Sequence, residues 1–491
     1  MQTFNLIMQT EALPLLPAWE GAVYHNHQIF GIGWMLEAEE GYTIPETEHV
    51  VRGGILGDKM GVGKTIQSLG LIANSPAMKT LIITPLAVLG QWKHELLRAA
   101  VNLFLPQQWG GKWIAQEPFI PGRKTVYLAH YDKIANKPEL CCNQTFDRMI
   151  LDEAHTIRNA ATKKAEAVLK IAKGVQCKWA LTGTPITNTM DDVTTYLKFI
   201  GCPMDSGKKW QPKYEEWARN LYLSRRLVEC VVDGQENIVP PTPIEEVIML
   251  KFSNKDEELI YKDIHADEES KWRNAKAQGT NYHLAMFSRL LRLRQMSVSP
   301  QIYINAREKE AFGWNGPKFH QVSSKFDEVA HLMRDANLIG ESHKWIVFCQ
   351  FHDEMVLLND FLSAQPFVGQ VLQYHGGMSM KEREQALKES KQPTEAGKQD
   401  VFLIQLKAGS TGLNLQHYDR IIFVSPWWTT AEMEQAKARA VRIGQKKVVK
   451  IYMLHLETEA AFNIDKFMMD KVFEKKEMAD SFELWSAHLA V

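Results

Sequence analysis

The sequence has few cysteines, and none is spaced as a metal or redox pair. The six cysteines among 491 residues are Cys141, Cys142, Cys177, Cys202, Cys230 and Cys349. Structural zinc sites need cysteines at short, regular spacing, and no CxxC pair occurs here. We therefore expect no zinc, no RING finger and no disulfide framework, and we predict buried thiols in a reducing compartment.

Long apolar runs and an excess of one charge are also missing. No stretch approaches the roughly 18 apolar residues that cross a bilayer, so we expect no membrane partner. The opening MQTFNLIMQTEALPLLP lacks the basic start and long apolar core of a signal peptide. Lys plus Arg number 57 and Asp plus Glu number 58, a net charge of −1. A nucleic-acid partner would therefore need positive charge gathered on one surface.

Alternating strand and helix patterns fill most of the chain. Short apolar runs rich in β-branched residues indicate strands that are buried on both faces, as in parallel sheets covered by helices. The runs are Thr80–Thr84, Lys124–Leu128, Arg148–Leu151, Lys178–Leu181, Trp345–Cys349, Val371–Tyr374, Val401–Leu406, Ile421–Val424 and Val448–Leu454. Two sets of βαβ units predict an α/β fold with two doubly wound parallel-sheet lobes.

A charged, helical stretch separates the two sets. Residues from about Ser253 to Met296 carry no clear strand, and prolines at 240, 241 and 243 indicate the edge of the first lobe. We predict an N-terminal extension over 1–24, a first lobe over 25–240, a helical insertion and linker over 241–318, a second lobe over 319–455, and a packing helix over 456–491.

The strongest single motif is GDKMGVGKTI, residues 57–66, which follows the apolar GGIL and precedes a helical run. Gly61 and Gly63 permit a tight turn whose N–H groups point at a phosphate, beside a helix N-terminus. Lys64 would reach the β- and γ-phosphates, and Thr65 would hold Mg²⁺. The strict P-loop pattern has Gly where this chain has Asp58. The predicted ATP-binding segment is Asp58, Lys59, Met60, Gly61, Val62, Gly63, Lys64 and Thr65.

Two more motifs follow strands of the first half. DEAH, residues 152–155, comes directly after the apolar MIL. Asp152 would contribute to the Mg²⁺ shell, and Glu153 would orient and deprotonate the attacking water. Alone, this acidic pair would equally suit a solvated helix start, but the P-loop upstream favours the nucleotide role. LTGTPITN, residues 181–188, carries hydroxyls that could link the nucleotide site to a second ligand.

The second half adds the glycine-broken KAGSTGLNL, residues 407–415, and the basic QAKARAVRIGQ, residues 435–445. Arg439 and Arg442 are three residues apart on one helix face and could act as arginine fingers toward a γ-phosphate. Without the P-loop half, a solvated or phosphate-binding face would be the ordinary interpretation. Basic clusters that could contact DNA phosphates are Lys163, Lys164, Lys170, Lys173, Lys178, Lys437, Arg439, Arg442, Lys446, Lys447 and Lys450.

Together the motifs resemble the SWI/SNF-type helicase-like ATPases, a branch of the superfamily-two nucleic-acid translocases. The resemblance runs from about His25 to Met453, with blocks in the family's order: HQIFGIGWM, GGILGDKMGVGKTIQS, LIITPLAVLGQWKHEL, LDEAH, LTGTPITN, LRQMSVSP, WIVFCQF, LIQLKAGSTGLNL, VSPWW and QAKARAVRIGQ. It implies two RecA-like lobes, ATP and Mg²⁺ as cofactors, double-stranded DNA and also chromatin as partners, and a nuclear location.

The resemblance also assigns roles to single residues. Gln28 matches the adenine-reading glutamine, and the roles proposed above for the P-loop and DEAH residues match the family's. Arg439 and Arg442 match two arginines that act as fingers across a cleft. The residues that fall on motifs coupling the nucleotide to DNA are Thr182, Gly183, Thr184, Gly409, Gly412, Asn414 and Gln435.

The chain also departs from the family pattern. Its HNHQIFGIGWMLEAEEG looks most like the DNA-repair branch that includes helicase-like transcription factor, but the cysteines of that branch's RING finger are missing. Lys59 replaces the usual Glu, Val441 the usual His and Ser425 the usual Asp. None of these removes a catalytic group, although the charge reversal at Lys59 could change nucleotide affinity.

Two alternative functions stay open at this point. An RNA helicase of the DEAH type shares four letters, but that group normally has a Ser-Ala-Thr third motif where this chain has TGTP. A degenerate DNA-binding scaffold would account for Lys59, whereas the retained Lys64 and Glu153 argue against it. DNA repair, transcription and chromatin remodelling all remain compatible pathways.

Overall fold

The computed structural model describes residues 15–487 except 46, 109, 143, 187–188, 206–209, 225–239, 280–281, 311–315, 317, 410–412, 443 and 460–461. The chain divides into two compact units. Residues 240–474 form the second unit, and the residues before 240 group with those from 475 onward in the first. Gly412 and Cys230, both named above, and Asn188 at the end of LTGTPITN lie outside the described residues.

The first unit is built on a nine-stranded sheet. Its strands are β1 (Tyr42–Thr43), β2 (Val50–Leu56), β3 (Lys79–Thr84), β4 (Asn102–Pro106), β5 (Trp113–Ala115), β6 (Thr125–His130), β7 (Arg148–Leu151), β8 (Cys177–Leu181) and β9 (Tyr222–Leu223). The order is β1-β2-β8-β7-β3-β6-β4-β5, and β9 also pairs with β2. The β1–β2 and β4–β5 pairs are antiparallel, and the central pairs from β2 to β6 are parallel.

Helices cover both faces of this sheet, which explains why its central strands are apolar on both sides. They are α1 (Asn26–Glu40), α2 (Lys64–Asn74), α3 (Leu89–Arg98), α4 (Tyr131–Asn136), α5 (Glu139–Cys142), α6 (Lys163–Ala172), α7 (Asp191–Ile200) and α8 (Lys213–Leu221). Short 3₁₀ turns span Leu86–Val88 and Ala154–Ile157. Glu39 ties α1 to the sheet, because it accepts hydrogen bonds from the buried Arg148 and from the Trp179 indole.

The second unit contains a six-stranded sheet in which the described strand pairs are all parallel. The order is β10-β15-β14-β11-β13-β12. The strands are β10 (Ile244–Leu250), β11 (Lys344–Cys349), β12 (Val368–Tyr374), β13 (Gln399–Gln405), β14 (Arg420–Phe423) and β15 (Lys450–Leu456). The helices are α9 (Lys255–Ala277), α10 (Tyr282–Val298), α11 (Pro300–Glu308), α12 (Ser324–Leu338), α13 (His352–Ser363), α14 (Met380–Glu389), α15 (Leu406–Gly409), α16 (Thr430–Lys437) and α17 (Ile464–Ala487), the last extending beyond this unit.

The predicted fold class is confirmed, since every strand expected from an apolar run is present with its ends displaced by a few residues. One segment differs from the expectation. Residues 241–318 were expected to be a helical insertion and linker, but β10 opens this segment and pairs with β15 in the second sheet. The apolar-run pattern did not predict β10, because this edge strand contains two glutamates and its Ile244, Val247 and Met249 are exposed.

The structure describes the side chains of four of the six cysteines. Cys141, Cys177, Cys202 and Cys349 are buried as thiols. Within the described part of the chain, no helix is long and apolar enough to span a bilayer.

Candidate nucleotide-binding site

The loops of the first unit that carry the predicted motifs follow four neighbouring strands. Residues 57–63 follow β2, Thr182 follows β8, Asp152 follows β7, and residues 85–88 lead from β3 into α3. Because these strands are parallel, their carboxyl ends lie at one edge of the sheet, where ligands bind in this class of fold. The sheet order therefore brings the P-loop, DEAH and TGTP motifs together.

The P-loop turns on two glycines with left-handed backbone. Gly61 has φ 88° and Gly63 has φ 100°, and Gly63 is the residue that caps the N-terminus of α2. L-residues with side chains rarely adopt these angles. The turn leaves the first N–H groups of α2 without helical partners, and these groups and the helix dipole favour an anion such as a phosphate.

Gln28 lies directly against this turn. Its side chain is buried, its Oε1 accepts the backbone N–H of His25 at 3.0 Å, and its Nε2 lies 3.4 Å from Val62 O. A Cβ added at Gly63 would lie 2.5 Å from Gln28 Nε2. The neighbouring His27 places Nε2 2.9 Å from the same Val62 carbonyl. The start of α1 therefore holds the P-loop in position.

Lys64 begins α2 and places its amine in an acidic environment. Its Nζ donates to the backbone oxygen of Asp58 at 2.6 Å. Burial lowers the Lys64 pKa, while the charges of Glu153, Asp58 and Asp152 raise it in opposition. A buried amine facing carboxylates is suited to contact phosphate oxygens, which would replace its present backbone partner. Thr65 is the next residue along, in the first turn of the helix.

Asp58 replaces the glycine of the strict P-loop pattern without backbone strain. The positive-φ non-glycine residues in the described part of the chain are Ala100 and Glu153, so Asp58 does not need a glycine's freedom. Its carboxylate is fully buried and accepts a hydrogen bond from Gln67 Nε2 at 3.0 Å. The side chain thus braces the loop against α2.

The DEAH carboxylates differ in surroundings. Burial, and then the charge of Glu153, raises the pKa of Asp152 to about 6, although hydrogen bonds from Trp92 and the Glu153 backbone and the charge of Lys64 oppose the shift. Glu153 has φ 48°, an uncommon conformation for a residue with a side chain. Its Oε2 lies 3.3 Å from His155 Nδ1. The Asp152 carboxyl is therefore buried and held by hydrogen bonds, whereas the Glu153 carboxyl is partly open to a water molecule.

The residues fit Mg²⁺ and ATP in kind. Asp152 and Thr65 offer the carboxylate and hydroxyl oxygens that Mg²⁺ prefers, and no group of three or more His, Cys, Asp or Glu in the described chain forms a complete metal cage. Mg²⁺ commonly binds through one or two carboxylates together with substrate phosphates and water. A buried carboxyl with a raised pKa also gains from a neighbouring cation.

The TGTP turn packs on the P-loop. Thr182 N–H donates to Leu56 O at 3.1 Å, and Lys59 Nζ donates to Gly183 O at 3.3 Å. A Cβ on Gly183 would lie 3.4 Å from both Asp58 O and Lys64 Nζ. Thr184 Oγ1 is buried with no hydrogen-bond partner among the described residues. This turn therefore contacts the P-loop directly.

The other predicted site residues belong to the second unit. Gln435 in α16 and Arg439 just beyond it are buried, and burial lowers the pKa of the half-buried Arg442. Leu415 N–H donates to Arg439 O at 3.0 Å, so the end of KAGSTGLNL contacts the segment of the two arginines. Gly409 ends α15, and Asn414 is exposed.

Several lysines expected to contact DNA form ion pairs within the protein. Lys437 is buried and pairs with Glu245 and Glu434. Lys164 pairs with Asp132 at 2.8 Å, and Lys447 pairs with Asp419 at 3.2 Å. Lys437 is therefore held inside the protein, whereas the side chains of Lys164 and Lys447 stay partly exposed, and their DNA contacts stay predictions. Sequence spacing does not reveal a partner such as Glu245, which is distant from Lys437 along the chain.

Sequence reasoning assigned no role to two residues that contact Asp152. The Trp92 indole N–H donates to Asp152 Oδ2 at 2.7 Å, and the Tyr131 hydroxyl donates to Asp152 O at 2.8 Å. Tyr131 begins α4 directly after β6, whereas Trp92 lies within α3, the helix that follows β3. A polar-tipped aromatic at the carboxyl end of a strand is the signal that could have identified Tyr131, and the sequence around Trp92 carries no such signal.

Comparison with known proteins agrees with this geometry. Residues 27–302 match the SNF2-related domain, and residues 324–444 match the helicase conserved C-terminal domain. A Bacillus subtilis protein named as an ATP-dependent helicase/translocase is 26% identical over 461 residues, which cover 89% of this chain and 46% of the relative. The Schizosaccharomyces pombe chromatin structure-remodeling complex subunit snf21 is 24% identical over 90% of this chain and 38% of its own length.

Two further similarities differ in coverage. A protein of Orgyia pseudotsugata multicapsid polyhedrosis virus named as a global transactivator is 26% identical over 90% of this chain and 88% of its own. The Sulfolobus solfataricus SWI2/SNF2 ATPase core in complex with dsDNA aligns at 20% identity and TM-score 0.40, covering 96% of this chain and 98% of that one. The chain spans less than half the length of the bacterial and yeast relatives. The SNF2-related match alone covers more than half of the sequence, so this chain belongs to the SNF2-related domain family.

Proposed function

We propose that this chain is an ATP-dependent translocase on double-stranded DNA, which couples ATP hydrolysis to movement along the duplex. The observation that carries the proposal is the convergence of the P-loop, DEAH and TGTP loops on one sheet edge, with the Lys64 amine among carboxylates and Gln28 buried against Gly63. The names of the bacterial and yeast relatives support it.

Each residue at this edge has a chemical task in the proposal. Gln28 reads the adenine edge, the P-loop N–H groups and Lys64 hold the phosphates, and Thr65 and Asp152 hold Mg²⁺. The metal, when bound, supplies positive charge to the phosphate oxygens as negative charge shifts between them. Glu153 orients the attacking water and accepts its proton, a task open to a carboxylate that is not fully buried.

The second unit supplies the remaining groups. Arg439 and Arg442 are proposed to stabilise the γ-phosphate in the transition state, where charge spread over its oxygens is greatest. The turn Thr182–Thr184 and the segments around Gly409, Asn414 and Gln435, together with Gly412, are proposed to link the nucleotide state to the grip on DNA phosphates. Grip that changes with the nucleotide would move the chain without strand separation.

The proposed setting is DNA repair, or remodelling linked to chromatin or transcription, in the nucleus. The name of the yeast relative supports chromatin as a partner. One of the relatives is bacterial, so the DNA-stimulated ATPase is the primary proposal and the nuclear pathway depends on it.

The first test separates hydrolysis from DNA binding. Lys64→Ala and Glu153→Gln should each abolish ATP hydrolysis while duplex DNA binding, measured by fluorescence anisotropy, stays within about twofold of the wild type. Lys112→Ala, at an exposed lysine of the first unit outside the predicted basic clusters, is the matched surface control and should keep both hydrolysis and DNA binding. Full hydrolysis in both site variants would overturn the assignment of the catalytic site.

A second test concerns the fingers. Arg442→Ala should lower the turnover number much more than the affinity for ATP, because a finger acts mainly on charge that develops in the transition state. Equal losses of turnover and affinity would remove Arg442 from that role.

A further inference from the structure

Trp92 on α3 contacts the predicted magnesium carboxylate through its polar edge. The residue is 1% exposed, and its indole N–H donates to Asp152 Oδ2 at 2.7 Å. A buried indole N–H needs an acceptor, and a carboxylate is the strongest acceptor available to it. This contact joins the helix after β3 to the residue that follows β7, the strand beside it in the sheet.

The geometry points to Trp92 as a positioning residue, which acts through Asp152 by holding its carboxylate in the orientation that binds Mg²⁺. The inference rests on the proposed function, because it concerns the metal of that same site. Trp92 itself touches neither nucleotide nor metal in this account.

The other contacts of Asp152 explain why one more donor matters. Its backbone N–H donates to Ile83 O at 2.9 Å, and its backbone oxygen accepts the Tyr131 hydroxyl at 2.8 Å, so the main chain is held on both sides. Its Oδ1 accepts the N–H of Glu153 at 3.0 Å. The Trp92 indole N–H donates to the second oxygen, Oδ2, and so sets the rotation of the carboxylate plane.

The arrangement leaves room for a metal. Each oxygen of an ionised carboxylate can accept at about two positions, and each Asp152 oxygen uses one in the contacts above. One position on each oxygen therefore stays available for Mg²⁺ or one of its waters. Groups that orient a metal ligand in this way typically change metal affinity or activity by about 10- to 100-fold when removed.

Two substitutions separate the hydrogen bond from the packing. Trp92→Phe keeps most of the apolar volume and removes the donor. Trp92→His loses the six-membered ring, but its Nε2 occupies the same place in the five-membered ring as the indole nitrogen and can keep an N–H there. If only packing mattered, Phe would be the better replacement, whereas hydrogen-bond donation favours His.

Trp179→Phe is the matched control. Trp179 is 0% exposed, belongs to the same apolar core as Trp92, and also donates its indole N–H to a carboxylate, at 2.9 Å from Glu39 Oε1. The Trp179→Phe variant therefore loses a buried indole and its hydrogen bond to a carboxylate in the same unit, while the contacts of Asp152 stay intact.

The measurement is the affinity for a fluorescent non-hydrolysable ATP analogue, titrated in excess Mg²⁺ and again in EDTA. We expect Trp92→Phe to reduce the gain in affinity given by Mg²⁺ by about tenfold or more while the EDTA affinity stays near that of the wild type. Trp92→His should keep more of the Mg²⁺ gain than Trp92→Phe, and Trp179→Phe should keep all of it. In the background of Asp152→Asn, Trp92→Phe should have little further effect, because both changes act on one group.

Each outcome decides one question. Equal Mg²⁺ gains in Trp92→Phe and the wild type would overturn the positioning role. A full additional loss in the double variant would also overturn it, because Trp92 would then act independently of Asp152. Absence of any nucleotide binding or Mg²⁺ gain in the wild type would instead overturn the proposed function, and the two failures are distinguishable.

Discussion

Adding one methyl group at Gly63 should damage adenine recognition through Gln28. Gly63 has φ 100°, and a Cβ there would lie 2.5 Å from Gln28 Nε2, well inside van der Waals contact. Gly63→Ala therefore has two costs: a strained backbone, and displacement of the Gln28 amide. Gly122 has φ 84° with no atom within 4 Å of an added Cβ, so Gly122→Ala carries the backbone cost alone.

The magnitudes follow from these contacts. A non-glycine residue in the left-handed region costs about 1–2 kcal/mol, and this cost is shared by both variants. Displacing the Gln28 amide breaks its bond with the His25 N–H at 3.0 Å and its weaker contact with Val62 O at 3.4 Å. Each hydrogen bond contributes about 0.5–1.5 kcal/mol to stability, so the free energy of unfolding should fall by about 1–3 kcal/mol more in Gly63→Ala than in Gly122→Ala.

The assay compares ATP with GTP in the same variants. Paired hydrogen bonds from an amide side chain to adenine discriminate against another base by about 1–3 kcal/mol, so misplacing Gln28 should reduce the preference for ATP by about tenfold. Damage confined to the phosphate loop would weaken the binding of ATP and of GTP equally. If Gly63→Ala keeps the wild-type ratio of ATP to GTP affinity, the contact between Gly63 and Gln28 does not control base recognition.

Three further changes test other parts of the structure. Lys59→Glu should weaken ATP binding by a few fold, because it replaces a positive charge beside the proposed phosphate site and removes the contact with Gly183 O. Titration with ATP at low and high salt measures this change, and tighter binding would contradict it. Glu39→Ala should lower the free energy of unfolding of the first unit by about 3–5 kcal/mol in urea, because Arg148 is fully buried and keeps an uncompensated charge; a loss below about 1 kcal/mol would contradict it. Burial raises the pKa of Glu354 to about 7, whereas its ordinary value is about 4.5. Between these two pH values the native state keeps a proton that the unfolded chain releases, so this group makes the free energy of unfolding fall as the pH rises. Glu354→Gln should flatten the dependence of the melting temperature on pH over that range, and an unchanged slope would refute the raised pKa of Glu354.

The fold and the nucleotide motifs could be predicted because both depend on local patterns. Runs such as Arg148–Leu151 are apolar on both faces, which only a covered parallel sheet explains. The order of β2, β8, β7 and β3 in the sheet then places motifs that are far apart in sequence at one edge. Strand β10 was missed because an edge strand keeps a mixed, exposed face and so lacks the apolar signature.

Partners that lie far apart in sequence could not be predicted in the same way. Lys437 looked like a DNA contact, but Glu245, distant in sequence, pairs with it. The sequence pattern gives Trp92 no role, and only the tertiary structure shows its indole beside Asp152. Asp58 looked like a departure from the P-loop pattern, but Gln67 binds its carboxylate and its backbone does not need a glycine. Each depends on which side chains the tertiary structure brings together.

The most direct measurement is the steady-state rate of ATP hydrolysis with and without double-stranded DNA, with single-stranded DNA and RNA as controls and Glu153→Gln as the blank. The account predicts Mg²⁺-dependent hydrolysis that duplex DNA stimulates strongly and RNA does not. Stimulation by RNA instead of duplex DNA would contradict the proposed substrate. DNA binding with no hydrolysis under any condition would contradict the enzyme itself and identify a DNA-binding scaffold.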